Sequence, residues 1–344
     1  MIAIISINSG VLKLPTRASL LLANMPDPRS VLALARHAEG AGFRRVWLSE
    51  NNVLDAASLA GAIAATTTLE LGTAIVPVFS RSPALLAMTA ATISRLGGGR
   101  PFHLGIGAGG KVTVDRWHGV PFTETVRTVE DTLAIARQAL SGERTDYAGA
   151  SRHSDGFRIA SGPAYSARIY IGGMGPAMQN LAARKADGLI LTWLSPRIAA
   201  DMRPGLDELT RAAGRDPAEV ELIARVYVAV CDDPAAAREA VRKELVEYLI
   251  SRPYGRYFAA AGFASEVEAV TTAFAARDRG RAVAAVSDRL LDEMLVCGRD
   301  AAAIAAPLRA FLDSGADHLL IQPVPEERHG YPARTIDAVA EAVA

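Results

Sequence analysis

Eight short apolar runs rich in β-formers, each followed by a stretch of helical character, recur from Ala18 to the C-terminal part of the chain. The pattern predicts strands over Ser19 to Asn24, Arg44 to Ser49, Leu69 to Val76, Phe102 to Ile106, Arg168 to Gly172, Gly188 to Trp193, Glu221 to Val230 and His318 to Gln322. Strands that alternate with crossover helices need a parallel sheet, and eight of them suggest closure into a (β/α)8 TIM barrel. Helix punctuation agrees. Pro28 to Gly42 ends on a C-cap glycine, Leu54 to Ala65 is rich in alanine, and Pro83 to Leu96 starts on proline and stops at Gly97-Gly98-Gly99.

At 344 residues the length alone allows about two domains, yet barrels with insertions reach this size as one, so residues 1–344 are expected to form a single barrel domain. Three pieces fall outside the eight repeats. Residues 1–16 are an N-terminal extension, read as an extra strand or an arm; residues 143–165 read as a hairpin insertion; residues 243–297 carry helical runs and the segment RPYGRYF, and read as a lid. Formal net charge is zero, which provides no global field for nucleic acid or anionic lipid and leaves a small-molecule substrate as the expected partner. The only cysteines are Cys231 and Cys297, without a CxxC pair or a histidine cluster, so neither a disulfide framework nor a metal site is expected. The first apolar run lacks a basic leader and is too short to span a bilayer; a cytoplasmic location is expected.

In a (β/α)8 barrel the chemistry sits at the C-terminal ends of the strands. Here those ends offer Asn24, Glu50-Asn51-Asn52, Ala74 to Pro77, Gly105 to Gly110, Gly172 to Gly175, Thr192-Trp193 and Gln322. They hold amides, one acid, glycines and aromatic surface, with no Ser/His/Asp set of nucleophilic logic. None of Lys13, Lys111, Lys185 and Lys243 lies at a strand end, which disfavours Schiff-base chemistry. Such a lining suits a large planar cofactor that brings its own reactivity. The stretch RIYIGGMGPAMQNLAARKADGLILTW reads as a βαβ unit in which Gly172, Gly173 and Gly175 bring bare N–H groups and a helix dipole to one point. Those glycines form an anion cradle, or they only ease a tight turn.

The segments LARHAEGAGFRRVWLSE, LELGTAIVPVFSRSPALLAMTAATISRLGGGRPFHLGIGAGG and IYIGGMGPAMQNLAARKADGLILTW together resemble the bacterial luciferase-like superfamily, especially its deazaflavin-dependent branch. The resemblance implies a non-proline cis peptide at Ala74-Ile75 that backs the central ring of the cofactor. It also implies that Gly172, Gly173, Met174 and Gly175 hold a phosphate, and that Gly107, Ala108 and Gly109 line the ring and tail. Asn24 and Trp193 complete the expected cofactor contacts, Trp193 as a wall for the ring or as plain packing. Relatives of the dehydrogenase kind end the second strand in Asp-His, where this chain has Glu50-Asn51, and many carry an acid at the position of Gly110. Glu50 is then the best ionisable candidate for a proton donor, or a structural carboxylate bonded to backbone N–H groups. Asn51 and Asn52 bond ring carbonyls or cap the next helix. His118, beside Trp117, is a further catalytic candidate, whereas His103 lies mid-strand and reads as a core residue. Tyr254 and Tyr257 are placed to reach down from the insertion.

The expected function is an oxidoreductase that moves hydride between the deazaflavin coenzyme F-420 and a small organic substrate, at C=O, C=N or C=C. An FMN-dependent monooxygenase is the alternative within enzymes, and a non-catalytic flavin-binding barrel the alternative outside them. A homodimer through early barrel helices is what the resemblance implies.

Overall fold

The computed structural model describes residues 17–23, 25–160, 167–324 and 332–343. Among these are the strands β1 (Ala18–Leu22), β2 (Arg45–Leu48), β3 (Glu70–Thr73), β4 (Val76–Pro77), β5 (Phe102–Gly107), β6 (Asp146–Ala148), β7 (His153–Asp155), β8 (Ala167–Gly172), β9 (Gly188–Thr192), β10 (Glu221–Val230), β11 (Leu295–Gly298) and β12 (His318–Pro323). The parallel order β12-β1-β2-β3-β5-β8-β9 is closed by β10, which pairs with both β9 and β12. β4 continues the stave of β3 after Ala74-Ile75 and pairs with β5, so eight staves close a (β/α)8 barrel. All eight expected strands are present, with small shifts at their ends.

Local chemistry explains where the crossover helices begin. Asp27, Asp55, Ser82 and Ser195 each accept a hydrogen bond from a first-turn N–H. Pro28, Pro83, Pro176, Pro196 and Pro234 occupy first turns, where a missing N–H costs nothing. No helix among the described residues is long and apolar enough to cross a membrane.

The predicted hairpin is β6–β7, antiparallel, with Asp146 opposite Asp155. Buried Asp131, on the helix Thr125–Leu140, holds it by accepting from the Tyr147 hydroxyl at 2.8 Å and from the N–H groups of Ser151 and Arg152 at 2.7 and 2.9 Å. The later insertion is helical over Arg252–Phe258, Ala264–Ala275, Arg279–Ala284 and Asp288–Met294, but it also contains β11, which adds parallel to the far half of β10. Leu295 to Gly298 is too short to show a period, which is why pattern alone missed it. The helix Pro234–Leu249 is the crossover from β10, so the insertion starts after Leu249 and not at residue 243. The N-terminal extension, residues 1–16, lies outside the described residues.

Alternation along the staves sends Leu21, Trp47, Tyr170, Ile190, Ile223 and Leu320 into the barrel lumen. Trp47 and Tyr170 meet edge to face at 5.4 Å, and Gly72 makes room for them, since a Cβ there would lie 2.5 Å from the indole. Beneath lies a polar floor at the N-terminal ends of the strands. Trp47 Nε1 donates to Ser19 Oγ at 2.9 Å, and Ser19 Oγ is 2.7 Å from His318 Nε2. Glu70 accepts from Arg45 and lies 3.0 Å from His103 Nε2, while Tyr170 and Arg168 both donate to Glu221. The hydrogen bond from His103 and the charge of Arg45 outweigh burial and bring Glu70 down to about 2. Burial, reinforced by Arg45, lowers His318 to about 3; burial also lowers His103 against the pull of Glu70.

Both histidines are therefore neutral when folded, whereas the unfolded chain charges them below their ordinary value of 6.5. Their contribution to stability is complete above that value and is lost as pH falls from there toward the depressed folded values. Urea midpoints measured at about pH 7 and about pH 5 should fall with acidity, with each histidine adding at most about 1.4 kcal/mol per pH unit to the slope. His318→Gln should flatten the profile by one proton's worth; an unchanged slope would show that His318 does not titrate in this way.

Candidate active site

At the opposite end of the barrel, three elements that are distant in sequence meet on one side chain. The peptide bond Ala74-Ile75 is cis, as the resemblance implied. The strand that carries it is held to the end of β2 by Ala74 N–H donating to Leu48 O at 2.7 Å and Glu50 N–H donating to Ile75 O at 3.2 Å. Ile75 lies flat against two glycines: a Cβ on Gly172 would be 2.7 Å from its Cγ2, and one on Gly107 would be 3.1 Å from its Cδ1. Ladder pairing locks the same point, with Pro77 opposite Gly107 and Gly107 opposite Gly172. Gly109 follows at φ +73°, close against Pro77, a conformation that favours glycine; Ala108 beside it is half-buried.

From Gly172 the chain passes through Gly173 and buried Met174 to Gly175, the N-cap of the helix Pro176–Lys185, where no side chain caps the first turn. A Cβ on Gly173 would strike Met178 at 2.7 Å, whereas one on Gly175 would meet nothing within 4 Å. The space in front of Gly175 is thus open, faced by main chain and by the positive end of a helix, which is what an anion requires.

The ionisable candidates are placed as follows. Glu50 receives the guanidinium of Arg81 in a two-pronged bridge, Nε to Oε1 at 3.1 Å and Nη2 to Oε2 at 2.6 Å, and also accepts the Ala56 N–H at 3.2 Å. Both side chains are about 15% exposed, and Arg81 reaches on to Asp55. These are the contacts expected of the structural alternative, a carboxylate bonded to a guanidinium and to a backbone N–H. Arg81 was missing from the sequence-derived set; its signal was a cation directly ahead of the cap Ser82, in the VFSRSP stretch. Asn51 is exposed and accepts from the N–H groups of Asn52 and Val53, and the following helix is capped by Asp55, not by an asparagine. His118 is exposed at the end of the turn Val112–Trp117. His103 is buried in the floor, as expected of a core residue. Asn24 lies outside the described residues.

Trp193 directly follows β9 at φ +57° and is 1% exposed. Its indole stacks on Tyr227 at 4.1 Å and meets Tyr248 edge-on at 5.2 Å, while its carbonyl accepts from the Tyr257 hydroxyl at 2.7 Å. Of its two expected roles, packing is the one its contacts display. Tyr257 does reach down from the insertion, and Tyr254 packs on Tyr248 at 4.8 Å. Thr192, Gln322 and Arg225 are further polar groups at this end, the last hidden from sequence reading within the apolar run of β10. No cluster of metal-ligating side chains occurs among the described residues.

The class that these features define is a parallel (β/α)8 barrel whose mouth is walled by glycine backbone and opens beside an uncapped helix start. The chain belongs to the luciferase-like monooxygenase family, which it matches over residues 7–318. It is 29% identical, over 76% of its length and 80% of the relative's, to a 5,10-methylenetetrahydromethanopterin reductase of Archaeoglobus fulgidus. It is 30% identical, over 62% of its length and 68% of the relative's, to an F420-dependent glucose-6-phosphate dehydrogenase of Microbacterium testaceum. Its fold is shared by the coenzyme F420-dependent tetrahydromethanopterin reductase of Methanopyrus kandleri, at a TM-score of 0.82 with 20% identity, over 95% of this chain and 97% of that one.

Removing Arg81 leaves Glu50 desolvated beside the mouth without its partner. Arg81→Leu should cost about 2–4 kcal/mol in urea unfolding, and the double change Arg81→Leu with Glu50→Leu should recover part of it. Additive losses would refute the coupling.

Proposed function

We propose that this protein is an oxidoreductase that uses the deazaflavin coenzyme F-420 to exchange hydride with a small organic substrate. The observation that carries this reading is the meeting of Ile75 with Gly107 and Gly172 beside the open helix start at Gly175. The deazaflavin, when bound, supplies the hydride chemistry at its C5. The chain supplies binding and orientation. The Gly172-Gly173-Met174-Gly175 backbone would grip the anionic tail, Ile75 would present an apolar wall to the ring, and Gly107, Ala108 and Gly109 would let ring and tail approach the main chain. Glu50 acts as a positioning residue, tying the Ile75 strand to β2 while Arg81 fixes its carboxylate. That leaves His118 or a water to hold the proton that completes addition to a polarised double bond.

The family kinship favours one other reading, an FMN-dependent monooxygenase, because the same phosphate cradle suits reduced flavin. Titration of the protein with the deazaflavin and with FMN separates the two, and preference for FMN would favour the second. Gly175→Glu puts a carboxylate into open space in front of the cradle, so thermal stability should hold while deazaflavin affinity falls about ten-fold or more. Unchanged affinity would dismiss the cradle.

We take the chain to be one barrel domain working in the cytoplasm as a homodimer. The helix Pro83–Leu96 supports the dimer, since it leaves Leu85, Met88 and Leu96 exposed along one side. Leu85→Glu with Met88→Glu should shift sedimentation from dimer to monomer; a wild-type monomer would end this part of the reading.

A further inference from the structure

Arg225 is a buried charge of the barrel lumen whose hydrogen bonds go to a neutral group. It points into the lumen at the level of the mouth, on the stave between β9 and β12. Its Nε and Nη2 both donate to one atom, the amide oxygen of Gln322, with Nε at 2.7 Å. It forms no salt bridge among the described residues. Glu244 is the carboxylate whose charge reaches it, but Glu244 is engaged with the Tyr227 hydroxyl at 2.6 Å. A neutral partner thus orients the guanidinium without neutralising it, and Nη1 has no hydrogen-bond partner among the described residues. Every charge of the floor, by contrast, is paired.

A second, independent observation lies on the adjacent strand. Thr192 is directly opposite Arg225 in the β9–β10 register, on the same lumen face, and its hydroxyl is buried without a partner in a residue 8% exposed. A buried hydroxyl with no partner carries a desolvation cost that an incoming oxygen would remove. The surroundings are flat and aromatic: Tyr227 lies under the guanidinium at 5.4 Å, Trp193 stacks on Tyr227, and Tyr248 of the crossover helix and Tyr254 of the insertion close in. Arginine presents parallel N–H groups that match a carboxylate, and it also tolerates stacking on aromatic faces.

We infer that Arg225 and Thr192 form the substrate-anchoring site and that the substrate is a planar molecule bearing a carboxylate, bound by the outer guanidinium edge and the Thr192 hydroxyl between aromatic walls. This deepens the proposed activity and rests on it for the ligand's being a substrate. The pair stands on the two staves that follow β8 around the barrel mouth, with β9 paired directly to β8, so the anchored molecule would lie beside the ring held at the glycine wall.

Calorimetric titration with benzoate and with its neutral isostere benzamide tests it. The wild-type protein should bind benzoate about ten-fold more tightly or better, the worth of a charge-assisted pair. Arg225→Gln should abolish the preference, Arg225→Lys should keep part of it by retaining charge without the fork, and Thr192→Val should weaken benzoate about three-fold or more. Equal affinity of the wild-type protein for the two probes overturns the inference without any variant, as does a preference that survives Arg225→Gln. Deazaflavin titration of the same proteins separates this result from the proposed activity. A protein that binds deazaflavin but does not prefer benzoate loses this inference alone; one that prefers benzoate but binds no deazaflavin loses the proposed activity alone. Loss of deazaflavin affinity in Arg225→Gln and Arg225→Lys alike, with the benzoate preference intact, would reassign Arg225 to the cofactor and overturn the anchor.

Discussion

The contact of Ile75 with the bare backbone of Gly107 and Gly172 is the constraint from which the mouth of this barrel follows. A methyl group on Gly172 would enter the van der Waals space of Ile75, so the stave of β3 and β4, the end of β5 and the end of β8 can converge only because two of them carry glycine there. The wall they form is main chain overlaid by one branched aliphatic side chain. Hydrogen bonds from Ala74 and Glu50 to the neighbouring strand keep that side chain in place, and the Arg81 bridge keeps Glu50 in place. The uncapped helix start after Gly175 follows within three residues of Gly172, so a flat apolar wall and an anion-attracting main chain lie side by side.

The two ends of the lumen treat charge differently. In the floor, Glu70 has Arg45 and His103, and Glu221 has Arg168 and Tyr170, so electrostatics there serves cohesion between staves. At the mouth, Arg225 leans on a neutral amide, and the Thr192 hydroxyl and Trp193 indole N–H are buried without partners. An unsatisfied buried polar group costs about 1–3 kcal/mol, a cost that the proposed ligand would offset at Thr192. β10 and the insertion together stabilise this end: Trp193, a bulky residue at positive φ, is kept there by the Tyr227 stack and the Tyr257 hydrogen bond.

Legibility in the sequence followed the range of the interaction. The staves, the cap-and-proline helix starts, the hairpin and the glycine positions all arise from neighbours a few residues apart, so periodicity and turn chemistry expose them. The cis link at Ala74-Ile75 came from family resemblance, because no local rule singles out that dipeptide. The Glu50–Arg81 bridge joins residues 31 apart in the chain and was invisible, which is why Glu50 looked available for proton transfer. Arg225 was hidden for a related reason: inside an apolar run a single charge reads as an interruption until the strand's alternation is tied to a lumen. β11 had too few residues to announce itself, and its place depends on how far β10 overhangs the barrel.

The amino-acid pattern by itself determined that eight staves and their crossovers would form, and that bare glycine backbone would stand at the ends of the fourth and fifth staves in chain order. These are matters of backbone freedom, hydrophobic period and capping, all decided within about one turn or one strand. Only the closed barrel decided which charges are spent and which are left over. Pairing between Arg81 and Glu50, and the neutral embrace of Arg225 by Gln322, exist only once ring closure brings distant strand ends to hydrogen-bond distance. Electrostatic partnership is a property of that shared space and not of any stretch of chain.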